Sequence, residues 1–116
     1  MIPRRRKRSK MGVRTEARIR CPGHLSWTRG LVCLAAGRDP EPCYGRMEAH
    51  HVSEDGNAGM GIKAPDTDVV PFCEFHHARG HRTGWKRYAA EVLRLNLMDC
   101  AADIWRRSPH RAKLEK

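Results

Sequence analysis

The sequence predicts a small α+β domain, in which two short strands and a helix carry metal ligands, with one helix before them and two after. Three observations carry this expectation. Five of the seven histidines fall in two compact clusters, His50-His51 and His76-His77 with His81; a glycine-rich span from Ser53 to Asp68 separates the clusters; and two apolar stripes at helical period close the chain.

A chain of 116 residues fits one domain, and a domain of that size buries a modest share of its surface, so a bound metal would help its stability. Hydrophobic residues at 40% and aromatics at 6% are thin beside 23 Lys and Arg, which predicts a small, mainly helical core. The formal net charge of +10 attracts polyanions through counterion release at phosphates, which makes nucleic acid the leading partner without naming any chemistry. No apolar run reaches bilayer-spanning length. The basic start Arg4-Arg5-Arg6-Lys7-Arg8 is not followed by the apolar stretch of a secretory signal, so the expected location is the cytoplasm. There Cys21, Cys33, Cys43, Cys73 and Cys100 would stay reduced, which favours metal ligation or burial over disulfides.

Taken in order, residues 1–20 hold nine Lys or Arg against Glu16 alone and almost no apolar surface. They cannot repay their ordering entropy and should form a flexible basic arm, solvated or in contact with DNA. Leu25, Trp27, Thr28 and Leu31 after Pro22-Gly23 suit a short helix over His24 to Leu31. The turn formers Gly37-Arg38-Asp39-Pro40-Glu41-Pro42 make a loop between Cys33 and Cys43. Met47 to Val52 reads as a strand, Ser53 to Asp68 as an irregular loop long enough to suggest function, and Val69 to Phe72 as a second extended piece. From Cys73 to about Gly84 the pattern is helical. Trp85, Tyr88, Ala89, Val92 and Leu93 then fall on one helical face, and Leu97, Cys100, Ala101, Ile104 and Trp105 on another, with Asn96 between them and Ser108-Pro109 as the stop. Both stripes, with Trp85 and Trp105, read as core. The domain thus runs over 21–108, with a short basic tail at 109–116 and no internal repeat.

His77 and His81 stand at i and i+4, so their imidazoles project from one helix face and can share an ion; His76 is turned away from both. Cys73 and His76, at i and i+3, make with Cys33 and Cys43 a Cys3His set suited to a closed structural Zn2+. His50 and His51 are neighbours in a strand and face opposite ways, so one can bind metal while the other reaches substrate.

The stretches Glu48-Ala49-His50-His51-Val52, Gly59-Met60-Gly61-Ile62-Lys63-Ala64-Pro65-Asp66, Val70-Pro71-Phe72-Cys73 and His76-His77-Ala78-Arg79-Gly80-His81 resemble the HNH, or ββα-metal, nuclease family. They are most similar to its small phage and prophage members, among them a recombinase-dependent nuclease. The likeness covers roughly His24 to Trp105 and is sharpest from Cys33 to His81. It implies a ββα-metal core, with His51 as the general base and His50, His77 and His81 holding one divalent ion, Mg2+, Mn2+, Ni2+ or Zn2+. A neutral imidazole can take a proton from water while the ion stabilises charge at the phosphate and the leaving 3′ oxygen. The family's asparagine is missing. Asp68 stands at its distance from His77 and Asp66 matches the phage-type pattern, either being able to brace a backbone amide or orient His51, while Asn57 lies too near His51. Ala36 occupies the place of the second cysteine of a tight knuckle, for which Cys43 would substitute.

The resemblance implies a DNA endonuclease acting in the cytoplasm of a bacterial host, on duplex DNA or a recombination intermediate, with a recombinase as a candidate partner. Lys63, Arg79, Arg82, Lys86 and Arg87, with Arg4 to Arg8, would hold the phosphate backbone and fix position without reading sequence. The rival expectation is a non-catalytic, zinc-stabilised DNA-binding or recombination accessory protein. An RNA-binding role lacks an aromatic stacking platform.

Overall fold

The computed structural model describes residues 19–53 and 64–114. The arginine-rich start, most of the expected arm and the glycine-rich stretch with Lys63 lie outside the described residues.

β1 (Met47–His51) and β2 (Val69–Cys73) pair antiparallel, with Met47 opposite Cys73, His50 opposite Val70 and His51 opposite Val69. All five β2 residues are buried, as the unbroken apolar run Val69-Val70-Pro71-Phe72-Cys73 requires. On its far side the Pro71 carbonyl accepts the Leu34 N–H at 3.0 Å, so chain ahead of β1 covers that edge. β1 is half-buried except at His50.

The first helix, α1 (Pro22–Thr28), starts and ends earlier than predicted. Pro22 sits in the first turn, where its missing N–H costs nothing. Gly30 and Leu31 then bond back to Trp27 and Thr28 at i→i+3, which tightens the chain and stops the helix. α2 (Glu74–Thr83) follows β2 without a loop: Cys73 is its N-cap, its sulfur accepting the His76 N–H. Gly84, at φ 95°, ends it in a conformation that suits glycine.

The regular helix predicted from Trp85 is corrected by the structure. α3 (Trp85–Arg87) gives way to a π-helical segment, Tyr88–Leu93, closed by Arg94 in the left-handed region at φ 58°. The i→i+5 spacing brings Tyr88 and Leu93 to one face, and both are fully buried. α4 (Leu97–Arg107) is the helix predicted, capped by Asn96 Oδ1, which accepts the Asp99 N–H at 2.9 Å, and buried along Leu97, Ala101 and Ile104. Within the expected short tail lies a final helical turn, α5 (Arg111–Leu114).

Helical residues form half of the buried cluster, the expected small helical core being joined by strand and loop residues. Val70, Phe72 and Cys73 of β2 share one buried cluster with Val52, Cys33 and Ala35 and with Tyr88, Ala89, Leu93, Leu97, Ala101 and Ile104. The sheet is thereby fixed to the chain ahead of β1 and to the C-terminal helices, which also meet each other where Arg38 Nη1–H donates to Leu93 O at 3.1 Å and Tyr88 O–H donates to Asp39 at 2.7 Å. Among the described residues no helix is long and apolar enough to cross a membrane.

Candidate functional site

Two clusters of metal-ligating side chains flank α2. In the first, Cys33, Cys43, Cys73 and His76 bring three sulfurs and one ring nitrogen within 4.8 Å of one another. Cys33 Sγ and Cys43 Sγ are each 3.8 Å from His76 Nδ1, and Cys73 Sγ is 3.1 Å from it. Zinc bonds of about 2.3 Å to sulfur and 2.0 Å to nitrogen imply tetrahedron edges of about 3.5–3.8 Å, so the donor set fits that ion in type and in spread. His76 Nε2–H donates to the Glu41 carbonyl at 3.0 Å, which leaves Nδ1 with a lone pair facing the sulfurs. The ten-residue interval from Cys33 to Cys43, open for a tight knuckle, is closed by the turn-rich loop between them.

Three thiols this close cannot all ionise without a cation. Burial pushes Cys43 up to about 12, helped by Cys33. Burial also opposes the Cys73 thiolate, but N–H donors from His76 and Tyr44 outweigh it and bring the thiol down to about 7. The N–H groups of Tyr44 and Cys73 point at Cys73 Sγ and Cys33 Sγ, at 3.5 and 3.3 Å.

Beneath this cluster lies Asp39, whose setting among turn formers in the sequence carries no sign of a further role. Its side chain is inaccessible, and it accepts Arg79 Nε–H at 2.7 Å, Tyr88 O–H at 2.7 Å and the Glu41 N–H at 2.9 Å. Burial would raise this carboxyl; the Glu41 N–H, Tyr88 and Arg79 together hold it below its usual range. Arg79, expected on a phosphate, is thus tied to the protein interior.

In the second cluster, the ring nitrogens of His50, His77 and His81 also lie within 4.8 Å of one another. His50 Nδ1 and His77 Nε2 are 3.2 Å apart, close to the roughly 3.3 Å edge between two nitrogens on one tetrahedral zinc. His77 Nδ1–H donates to Glu48 Oε1 at 2.5 Å, fixing the tautomer that turns the Nε2 lone pair toward His50. Burial, then the neighbouring His77, His81 and His51, push His50 down to about 3, so it is held neutral as a ligand must be. Glu48 stands two residues before His50 on the same strand face, and that spacing is the sequence signal for its place beside His77.

Trp85 was expected to pack, and it does so on the histidines. Its indole stacks on His50 with centroids 4.0 Å apart at 26°, and its Nε1–H donates to His81 Nδ1 at 3.3 Å. Gly80 makes room for it, since a Cβ there would lie 2.2 Å from the ring.

His51 stands outside both ligand sets. It lines, with His50, His77, His81 and Trp85, a cleft of about 390 Å³. Its Nε2–H donates to Asp66 Oδ1 at 2.7 Å, and Asp66 Oδ2 accepts the Cys21 N–H at 2.8 Å. Asp66 thus makes contacts of both kinds expected of Asp66 or Asp68, one with the His51 ring and one with a backbone amide. Asp68 closes the loop with its backbone, accepting the Val52 N–H at 2.8 Å and donating to Pro65 at 3.0 Å. Of the other basic residues singled out, Arg82 and Lys86 are exposed near this cleft's helices and Arg87 pairs with Glu91 at 3.1 Å. Two arginines not singled out, Arg29 and Arg46, line an adjoining groove with Glu48 and His77. Comparison with models of protein families, with curated proteins and with solved structures finds no match to this chain.

Proposed function

We propose that the protein is a metal-dependent DNA endonuclease of the HNH type. The observation that carries this reading is a division of labour within one cleft. Three histidines present nitrogens to a common point, and a fourth, His51, is oriented by a carboxylate and belongs to no ligand set. A site that only folds a chain has no use for the fourth.

Asp66 accepts the proton of His51 Nε2, so the lone pair available for chemistry is on Nδ1. From that atom His51 takes a proton from water as the water oxygen bonds to phosphorus and the bond from phosphorus to the 3′ oxygen breaks. His50, His77 and His81 would hold a divalent ion, which would supply stabilisation of the charge on the phosphate and on the leaving oxygen. Glu48 and Trp85 hold His77, His50 and His81 in place for it. The Cys3His set, suited to zinc, ties the chain ahead of β1 to the start of α2, and so fixes the strand and the helix that carry the histidines. The net charge of +10 supports a polyanionic substrate.

The closed Cys3His set alone would equally serve a non-catalytic DNA-binding accessory protein. A plasmid-nicking assay separates the two readings. Chelator-stripped protein should leave supercoiled plasmid intact, and adding Mg2+, Mn2+, Ni2+ or Zn2+ should restore nicking. Protein that binds plasmid and nicks it with none of these ions would overturn the enzyme reading and leave the accessory one.

A further inference from the structure

The groove lined by Arg29, Arg46, Met47, Glu48, Ala49 and His77 opens beside the histidine cleft and shares Ala49 and His77 with it. Both arginines are exposed, and among the described residues neither guanidinium enters an ion pair, unlike Arg79 and Arg87. Their backbones are nonetheless fixed. Arg29 caps α1, its N–H bonded to Leu25 O at 3.1 Å. Arg46 is clamped to the start of α2, its N–H on Glu74 Oε1 at 2.9 Å and its carbonyl accepting the Glu74 N–H at 2.8 Å. The one acid in the groove, Glu48, is engaged by His77 Nδ1–H. Two guanidiniums against one paired carboxylate leave a positive groove ending at His77.

We infer that Arg29 and Arg46 form a subsite for a backbone phosphate on the 5′ side of the cut. The inference rests on the hydrolytic reading above. Arg46 and His51 stand at opposite ends of β1, since Arg46 precedes Met47 and at about 3.3 Å per residue lies roughly 17 Å along the strand from His51; the groove runs from Arg46 past Met47 and Glu48 to Ala49 and His77, where it meets the cleft. Water deprotonated by His51 attacks from the His51 end. In an in-line displacement the leaving oxygen departs on the opposite side of phosphorus, toward His77 and the groove. The new bond joins the water oxygen to phosphorus, the water proton goes to His51 Nδ1, and the 3′ oxygen leaves with the electron pair of its broken bond and takes a proton from solvent. The nucleotide bearing that oxygen therefore lies over the groove, and the phosphate on its own 5′ side meets the two guanidiniums. Arginine suits this task because its planar fork matches phosphate oxygens.

The test uses full-length metal-loaded protein with Arg29→Ala, Arg46→Ala and both together. In a His51→Ala background, binding of a duplex oligonucleotide is measured against salt; each arginine removed should lower the slope of log affinity against log salt by about 0.9. In the His51 background, two duplex oligonucleotides are compared whose cut strand carries one hydrolysable linkage among phosphorothioates, one strand extending several nucleotides on the 5′ side of that linkage and the other beginning at the nucleotide that bears the leaving oxygen. The double variant should raise KM for the first about tenfold or more with kcat kept, and leave the second unchanged. Equal effects on both substrates would overturn the assignment of side. An unchanged salt slope would overturn the subsite whether or not the protein cuts. A lowered slope in a protein that cuts nothing would keep the phosphate subsite and overturn the hydrolytic reading instead.

Discussion

Replacing Gly80 by alanine sets two effects against each other. Inside a helix alanine is favoured over glycine by about 1 kcal/mol, and on that ground alone the variant should be more stable. At Gly80, however, the new Cβ would fall 2.2 Å from Trp85 Cη2, 2.3 Å from Cζ3 and 2.6 Å from Cζ2. Carbon atoms rest at about 3.5–4.0 Å, so the indole would have to retreat by more than 1 Å. It has little room: it is stacked on His50, tilted on Phe72 at 5.0 Å and edge-on to Tyr88 at 5.8 Å. Overpacking of this kind costs about 1–3 kcal/mol, which outweighs the helical gain and leaves a net loss of about 1 kcal/mol. For a domain of this size that lowers Tm by about 4–6 °C. The larger effect should be local, because a displaced indole no longer holds His50 and His81, and cation affinity at the three-histidine site should fall about tenfold. Thermal unfolding and metal titration against a competing chelator, followed by tryptophan fluorescence, measure the two effects. A Gly80→Ala protein with a raised Tm and unchanged affinity would refute the placement of Trp85 over α2.

Three further outcomes are expected. Glu48→Ala frees the His77 ring and should weaken the three-histidine site about 10- to 100-fold, as read by chelator competition, while the Cys3His site keeps its metal. Asp39→Ala strands Tyr88 O–H and the Glu41 N–H and leaves Arg79 half-exposed without its partner; denaturant unfolding should show a loss of about 3 kcal/mol. Burial and then His110 push His24 below the usual imidazole range, with Asp66 opposing. The unfolded chain then binds the proton more readily, so the stability linked to His24 is complete above about pH 6.5 and is lost as pH falls through and below it. The urea midpoint should drop between pH 7 and 5, and less steeply in His24→Gln; equal slopes would contradict this.

The chemistry-bearing residues were legible where local spacing decides geometry. Cys73 with His76, and His77 with His81, are set by the helical turn, and the structure gathers each pair as the spacing requires. Residues whose partners lie far along the chain were less legible. Asp39 sits among turn formers, and nothing local ties it to Arg79 or Tyr88, forty or more positions on. Asp66 and Asp68 were equivalent until folding brought one to His51. The period of Trp85, Tyr88, Ala89, Val92 and Leu93 fitted an α-helix, and only packing selects the wider π turn that buries Tyr88 and Leu93 together. The abundance of buried β2 residues in the core was hidden for a different reason: a short apolar run does not announce that it will be covered on both faces.

The most direct test compares plasmid nicking by the wild type and by His51→Ala at equal bound metal and equal DNA occupancy. Removing the proton acceptor while every ligand stays in place should slow strand scission by about 10²- to 10⁴-fold. Scission at the wild-type rate in the variant would contradict the assignment on which the catalytic account depends.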